Sequence, residues 1–201
     1  MTLNTVKGFL DNIEGQELAK IVKKCSHLGP CLEIGTYCGK SALIIGAACK
    51  NSENIAFTID HHTGSEEHQI GEEYHDSELY DENIDSFNTL PEFLRNLRNS
   101  NLQNYVLPIV GKSKEISKHW KIPLGMVFID GGHSRKAAFE DYENWHPHIH
   151  KGGFLLIHDV FPNPNDGGRP PYEIFCEAKK SKNFKEIALV KSLAILKKVK
   201  I

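Results

Sequence analysis

Short apolar runs alternate with amphipathic segments along most of this chain. The apolar runs predict strands at residues 31–34, 55–59, 105–110, 126–129 and 154–157. Apolar residues at helical spacing mark an opening segment at Leu18, Ile21, Cys25 and Leu28, and a later helix at Ala138, Tyr142, Trp145 and Ile149. Strands that alternate with helices form parallel sheets covered on both faces, so the pattern predicts an α/β fold.

The end of the chain departs from this alternation. A helix is expected around residues 172–180, and two short apolar runs follow it at 187–190 and 193–196. Only Lys191 and Ser192 separate the two runs, which predicts a closing antiparallel hairpin. The 201 residues are enough for one such domain, 1–201, with a helical segment at 1–29.

The segment CLEIGTYCGKS, residues 31–41, predicts a ligand-binding turn between a strand and a helix. Glu33 closes the strand, and Gly35 and Gly39 let the backbone approach a ligand without a Cβ in the way. Ser41 opens the apolar run of the next helix, whose first N–H groups are free to meet a ligand.

The spacing of the glycines decides between ligand classes. A phosphate-binding GxxxxGK[ST] loop is excluded because Gly35 stands one residue too close to Gly39, and the second GKS, at 111–113, has Val106 in place of the first glycine. The dinucleotide pattern GxGxxG does not match either. The remaining pattern, ExGxxxG, resembles the first motif of class I S-adenosylmethionine (SAM) dependent methyltransferases. Residues 33–41 resemble its form in catechol O-methyltransferases, and most of the chain is similar to small bacterial enzymes of that kind, including macrolide-sugar O-methyltransferases.

The resemblance implies a Rossmann-like, doubly wound sheet of about seven strands that ends in the hairpin, and SAM as cofactor. Glu33, Tyr37 and Ser41 match residues that hold the methionine part, with Gly35 and Gly39 shaping the loop. Asp60, 27 residues after Glu33, matches the acid that binds the ribose hydroxyls, and Ser113 matches a residue that touches the adenine. As alternatives, Asp60 is a strand-end turn residue and Ser113 a helix N-cap.

Residues that could bind a metal or transfer a proton follow two further strands. They are Asp130 and His133 in FIDGGH, and His158 and Asp159 in LLIHDV. Metal-dependent O-methyltransferases similar to this chain bind Mg²⁺ or Mn²⁺ at positions matching Asp130, His158 and Asp159, and Asp130 also borders the cofactor. Their middle ligand is usually an acid. A histidine there favours Mn²⁺, Fe²⁺ or Zn²⁺, or else the absence of a metal, with Asp130 as a helix cap and His158 as a buried polar residue.

His133 is the candidate general base, because imidazole titrates near neutral pH and relatives that methylate sugar hydroxyls carry a histidine at this DxxH spacing. The alternative is a surface histidine in a turn. The acceptor expected from the resemblance is a small hydroxylated molecule.

The polar insert at 61–83 is too long for a plain connection and predicts a lid over the acceptor pocket. Its histidines, His61, His62, His68 and His75, leave a second metal site open, although their spacing is irregular. In the Pro/Gly-rich segment 161–171, Arg169 is either an anion-pairing residue or an ordinary surface arginine.

Charge and cysteine content limit the binding partners and the cellular location that we expect. A net charge of −2 and a pI near 6.6 indicate neither a nucleic-acid nor a membrane partner. Five cysteines without a CxxC pair, and no apolar N-terminal run typical of a signal peptide, predict a cytoplasmic protein, and a homo-oligomer stays open.

The expected function is SAM-dependent O-methyl transfer. The alternatives are a non-catalytic SAM-binding module that acts through a partner, and a metal-dependent hydrolase that uses the histidine-rich insert.

Overall fold

A computed structural model describes residues 5–65, 76–132 and 134–200 of the chain. Its helices are α1 (Asn12–Cys25), α2 (Lys40–Asn51), α3 (Leu90–Asn99), α4 (Ser113–Ser117), α5 (Arg135–Trp145) and α6 (Pro170–Lys180). Its strands are β1 (Cys31–Ile34), β2 (Ala56–Asp60), β3 (Tyr80–Asp81), β4 (Ser86–Phe87), β5 (Val106–Val110), β6 (Leu124–Ile129), β7 (Ile149–Ile157), β8 (Phe184–Val190) and β9 (Leu193–Lys198).

Among the described residues, seven strands form one sheet in the order β5-β2-β1-β6-β7-β9-β8. The first five of these strands run parallel, and β9 lies antiparallel between β7 and β8. The predicted α/β fold with a closing antiparallel hairpin is therefore confirmed.

The register brings the ends of four strands to one edge of the sheet. Ile34 of β1 pairs with Ile59 of β2 and with Ile129 of β6, and Ile129 pairs with Ile157 of β7. The chain winds outward from β1 in one direction through β2 and β5, and then in the other direction through β6 and β7. The crevice at such a reversal is where open parallel sheets bind ligands.

The sheet is buried on both faces, as its unbroken apolar strands predict. Every residue of β1 and β6 is buried. On one face Leu18 and Val22 of α1 pack with Met126 and Phe128 of β6, and on the other Trp145 of α5 packs in the same apolar cluster as residues of the sheet. The two layers hold the strand ends in fixed positions.

Several predicted boundaries are wrong. In the opening segment α1 begins at Asn12, because Asp11 caps this helix by accepting a hydrogen bond from the N–H of Ile13. Ile149 begins β7 instead of extending α5, since α5 ends at Trp145 and a short 3₁₀ turn, residues 146–148, intervenes.

The end of the insert contains a strand that the sequence analysis did not predict, β3, which pairs antiparallel with β4 just beyond the insert. Residues 66–75 of the insert lie outside the described residues, and so do its histidines His68 and His75. No helix in the described ranges combines the length and apolar character needed to cross a membrane.

Candidate active site

The loop after β1 needs both of its glycines. Gly35 has φ +85°, and a Cβ on it would lie 2.1 Å from the carbonyl oxygen of Asp130. Gly39 has φ +91°, and its Cβ would lie 2.5 Å from the ring of Phe93. A side chain at either position would be strained and would clash, so the loop can follow this path only with glycine.

Asp60, at the end of β2, fastens this loop to the sheet. Its Oδ2 accepts hydrogen bonds from the backbone N–H of Thr36 at 2.8 Å and of Tyr37 at 2.9 Å, and its Oδ1 accepts one from the N–H of His62 at 2.7 Å. The bond to His62 is that of a strand-end turn residue, the alternative considered for Asp60. Because a carboxylate offers about four acceptor sites, these three bonds leave room for a ligand hydroxyl.

Glu33 lies directly beneath the loop and has no exposed surface. Neither of its carboxylate oxygens has a hydrogen-bond partner of good geometry among the described residues. Burial raises the pKa of Glu33 to about 8, with a lowering contribution from the Ser41 hydroxyl and raising ones from Asp130 and Asp60. A ligand that brought a donor or a positive charge to this carboxyl would supply the missing partner.

Ser113 is not the helix N-cap considered from the sequence, since α4 begins at Ser113 and Lys112 stands at the cap position. Its Oγ donates to Asp141 Oδ1 at 2.6 Å and accepts from Trp145 Nε1 at 2.7 Å. Burial raises the pKa of Asp141 to about 6. Asp141 borders the same cavity as Ser113, and the sequence analysis missed it; the available signal was its i, i+4 spacing to Trp145 on one helix face.

The predicted metal ligands come together at the ends of β6 and β7. One ligand atom from each of Asp130, His158 and Asp159 lies within 4.8 Å of the others. His158 Nδ1 is 2.9 Å from Asp130 Oδ1 and 3.4 Å from Asp159 Oδ2. Asp159 has φ +55°, an uncommon backbone conformation for a residue with a side chain, and such conformations cluster at functional sites.

His158 is held from its other side by Glu14 of α1, a contact that the sequence analysis missed. Its Nε2 lies 3.1 Å from Glu14 Oε2, and both side chains are almost fully buried. Burial alone would lower the pKa of His158, but Asp130, Asp159 and Glu14 raise it to about 12. The pKa of Glu14 falls to about 2, because hydrogen bonds from His158 and Ser192 outweigh its burial. The buried polar histidine that was the alternative to a metal ligand is thus present, hydrogen-bonded to Asp130 and Glu14 and close to Asp159.

A cavity of about 820 Å³ joins these two groups of residues. Its lining includes the loop at Gly35, the ends of β2, β6 and β7, and the rings of Phe9 and Phe161. The volume is in the range of sites for small ligands. His133, the predicted general base, lies outside the described residues.

The remaining predicted residues have other contacts. His62 is buried, with Nδ1 2.7 Å from the hydroxyl of Thr89 and its ring stacked on Phe93. Arg169 donates to the carbonyl of Phe161 at 2.7 Å and lies over the ring of Tyr172, so it stabilises its own loop. Within the described ranges, the one group of three side chains suitably placed for a metal is Asp130, His158 and Asp159.

The sheet order, the glycine loop and the cavity at the strand ends define the fold of class I SAM-dependent methyltransferases. A family model described as "Methyltransferase domain" matches residues 32–160, more than half of the chain. The chain belongs to this family of methyltransferases, which confirms the resemblance found from ExGxxxG.

Solved structures share the fold at low sequence identity. An O-methyltransferase from Bacillus cereus, in complex with SAH, is 16% identical with a TM-score of 0.67, over 98% of this chain and 85% of that one. TomG from Streptomyces achromogenes, an O-methyltransferase of tomaymycin synthesis in complex with SAM, is 14% identical with a TM-score of 0.66, over 96% and 82%. The O-methyltransferase NovP is 16% identical with a TM-score of 0.68, over 93% and 81%.

Proposed function

We propose that this protein transfers the methyl group of SAM to a hydroxyl oxygen of a small acceptor. The observation that carries the proposal is the single cavity bordered on one side by the loop at Gly35 and Asp60, and on the other by Asp130, His158 and Asp159. One side suits an adenosyl cofactor, and the other suits a polar reacting group.

The cofactor side fits SAM by the chemistry of its groups. The unpartnered carboxyl of Glu33 lies near the Ser41 hydroxyl, where an ammonium group of the methionine part would find an acceptor. Tyr37, Gly35 and Gly39 shape the loop over that part, and Asp60 has an acceptor site left for a ribose hydroxyl. Ser113 and Asp141 border the cavity beyond Asp60 and would meet the adenine.

SAM supplies a methyl group on a sulfonium, which is reactive toward oxygen. In the transfer the S–CH₃ bond breaks as the O–CH₃ bond forms, and the hydroxyl proton passes to a base. We assign the base to His133, which follows Asp130 by three residues. The protein contributes by holding the two reactants in line and close together.

A divalent cation fits the acceptor side, because two carboxylates and an imidazole nitrogen face one another there. Asp130, Asp159 and Nδ1 of His158 would hold it, and a donor set with one nitrogen favours Mn²⁺ over Mg²⁺. Bound there, such an ion lowers the pKa of an acceptor hydroxyl. Acceptors with a neighbouring pair of hydroxyls are therefore the favoured class.

The insert at 61–83 is proposed to act as a lid over the acceptor. Residues 76–83 of it are joined to the N-terminal segment by Lys7, whose Nζ lies 2.5 Å from Asp76 and 2.6 Å from Glu78. Lys7 and Phe9 of that segment border the cavity, and so do Gly64 and Ser65 of the insert.

Calorimetry tests the cofactor assignment. The parent is expected to bind SAM and S-adenosylhomocysteine in the micromolar range, and Asp60→Ala to weaken both by about 10- to 100-fold through loss of a charged acceptor and of loop order. Glu186→Ala, on β8 and partly exposed, is the matched control and should bind as the parent does. Absence of SAM binding by the parent would contradict the proposal. Binding without transfer to any of a panel of phenols, catechols and sugars would favour the non-catalytic alternative.

A further inference from the structure

Glu14 connects three distant parts of the chain beneath the acceptor side. It lies in the first turn of α1 and is 2% exposed. Its Oε1 accepts from the backbone N–H of Ser192 at 2.9 Å and from the Ser192 hydroxyl at 2.8 Å. Its Oε2 accepts from the backbone N–H of Asp11 at 3.1 Å and faces Nε2 of His158, also at 3.1 Å. Every acceptor direction of this carboxylate is therefore directed at a protein group.

These contacts decide which nitrogen of His158 keeps its hydrogen when a cation binds. An ionised carboxylate only accepts hydrogen bonds, so the nitrogen that faces Glu14 must be the donor, Nε2–H. The other nitrogen, Nδ1, faces Asp130 and Asp159, at 2.9 and 3.4 Å. In the metal-free protein it donates to these carboxylates, and it would give up that proton to a bound cation. A histidine that binds a metal through one nitrogen commonly donates its other N–H to a carboxylate, which fixes the ring and its tautomer.

We propose that Glu14 is a positioning residue that holds the imidazole of His158 with Nδ1 facing Asp130 and Asp159, so that this nitrogen can bind a divalent cation. The inference rests on the metal ion of the proposed function. It extends the site from the strand ends to α1 and to the turn between β8 and β9, neither of which supplies a ligand.

The surroundings of Glu14 explain why its isosteric amide would not serve. Two of the donors that meet it are backbone N–H groups that cannot turn, that of Ser192 on Oε1 and that of Asp11 on Oε2. In Glu14→Gln the amide NH₂ would have to face one of them, donor against donor. With the NH₂ toward Asp11 and His158, it would donate to Nε2 and move the ring hydrogen to Nδ1, where a metal could no longer bind.

The test measures Mn²⁺ binding by electron paramagnetic resonance on the full chain, without SAM or acceptor. Glu14→Gln is expected to weaken Mn²⁺ binding by about 10- to 100-fold, the usual effect of losing an outer partner of a metal-bound histidine. Asp11→Ala is the matched control, because it removes the side-chain cap of the same helix but keeps the backbone N–H that meets Glu14. It should lower the melting temperature and leave Mn²⁺ affinity within about twofold of the parent.

Mn²⁺ affinity in Glu14→Gln equal to that of the parent would overturn the proposal. Should that variant not fold, Ser192→Ala decides, since it removes one donor from Oε1 and should weaken Mn²⁺ binding by about two- to fivefold; parental affinity would then count against the proposal.

If the parent binds no Mn²⁺, the proposed function does not include a metal. Proton magnetic resonance then decides the role of Glu14. The Nε2–H of His158, buried against Glu14, should give a slowly exchanging downfield signal in the parent that is absent from His158→Asn. Its loss in Glu14→Gln would support positioning by Glu14, and its persistence unchanged would overturn it.

Discussion

Two glutamates of this protein are almost equally buried and are expected to behave in opposite ways. Glu33, beneath the loop at Gly35, has no hydrogen-bond partner of good geometry among the described residues, and its pKa rises to about 8. Glu14, beneath the acceptor side, meets donors on both oxygens, and its pKa falls to about 2. Burial is common to both, so hydrogen-bond donors decide the charge.

The two carboxyls differ in whether the folded protein itself supplies their hydrogen-bond partners. The acceptor side is internally satisfied, because Glu14, His158 and Asp130 form a continuous chain of opposite charges. The side proposed for the cofactor has a buried carboxyl, that of Glu33, which would gain a partner from a bound ligand. Replacing residues on the acceptor side should therefore change turnover and stability, whereas the cofactor side should be sensitive to ligand and pH.

The largest expected effect separates turnover from cofactor binding. His133→Ala should lower the methyl-transfer rate by about 10²- to 10⁴-fold at neutral pH, and the remaining rate should rise with pH as the acceptor ionises without help. SAM affinity should stay within a few-fold of the parent. His150→Ala, at an exposed histidine of β7, serves as the control. If His133→Ala transfers the methyl group at the parental rate, His133 is not the base, and turnover and cofactor binding are not separated in this way.

The pH dependence of stability tests the account of Glu33. The folded protein keeps the proton of this carboxyl up to about pH 8, whereas the unfolded chain releases it near pH 4.5, so the free energy of unfolding should fall as pH rises between these values. The contribution is on the order of 3 kcal/mol between pH 5 and 8.

Urea unfolding of the parent and of Glu33→Gln at several pH values isolates this contribution, because the amide cannot ionise. Asp141, with its pKa of about 6, titrates in both proteins and cancels in the difference. Parallel stability curves for the two proteins would mean that Glu33 is ionised in the folded state and has a partner.

The smallest effect concerns the contact between the insert and the N-terminal segment. Lys7→Ala removes the ion pairs with Asp76 and Glu78, which are partly exposed and together contribute on the order of 1 kcal/mol or less. Hydrogen exchange in residues 76–87 should become a few-fold faster, and SAM should slow it again if the insert closes over the ligand. Lys20→Ala, which breaks an exposed pair with Glu17, is the control. Equal, strong protection with and without SAM would identify the insert as a permanent part of the fold.

Local patterns in the sequence were sufficient for much of this site. The alternation of apolar and amphipathic segments predicted the parallel sheet, and the ExGxxxG spacing predicted the loop whose glycines adopt positive φ. The convergence of Asp130, His158 and Asp159 also followed, because residues after parallel strands meet at one edge of the sheet. Each inference needed only the period of an element or the conformational range of one residue.

Contacts between residues far apart in the chain were decided only by the tertiary structure. The sequence DNIE marks Glu14 as a helix-capping residue, and nothing near it points to His158, 144 residues away. The sequence around Ser113 fits an N-cap pattern. Because α4 packs against α5, the Ser113 hydroxyl instead forms hydrogen bonds with Asp141 and Trp145. The sequence by itself determined which elements form and which residues reach the edge of the sheet, since these depend on neighbours along the chain. Which buried acid is ionised depends on the donors that packing brings to it, and that was settled only by the folded arrangement of α1, the hairpin and the strand ends.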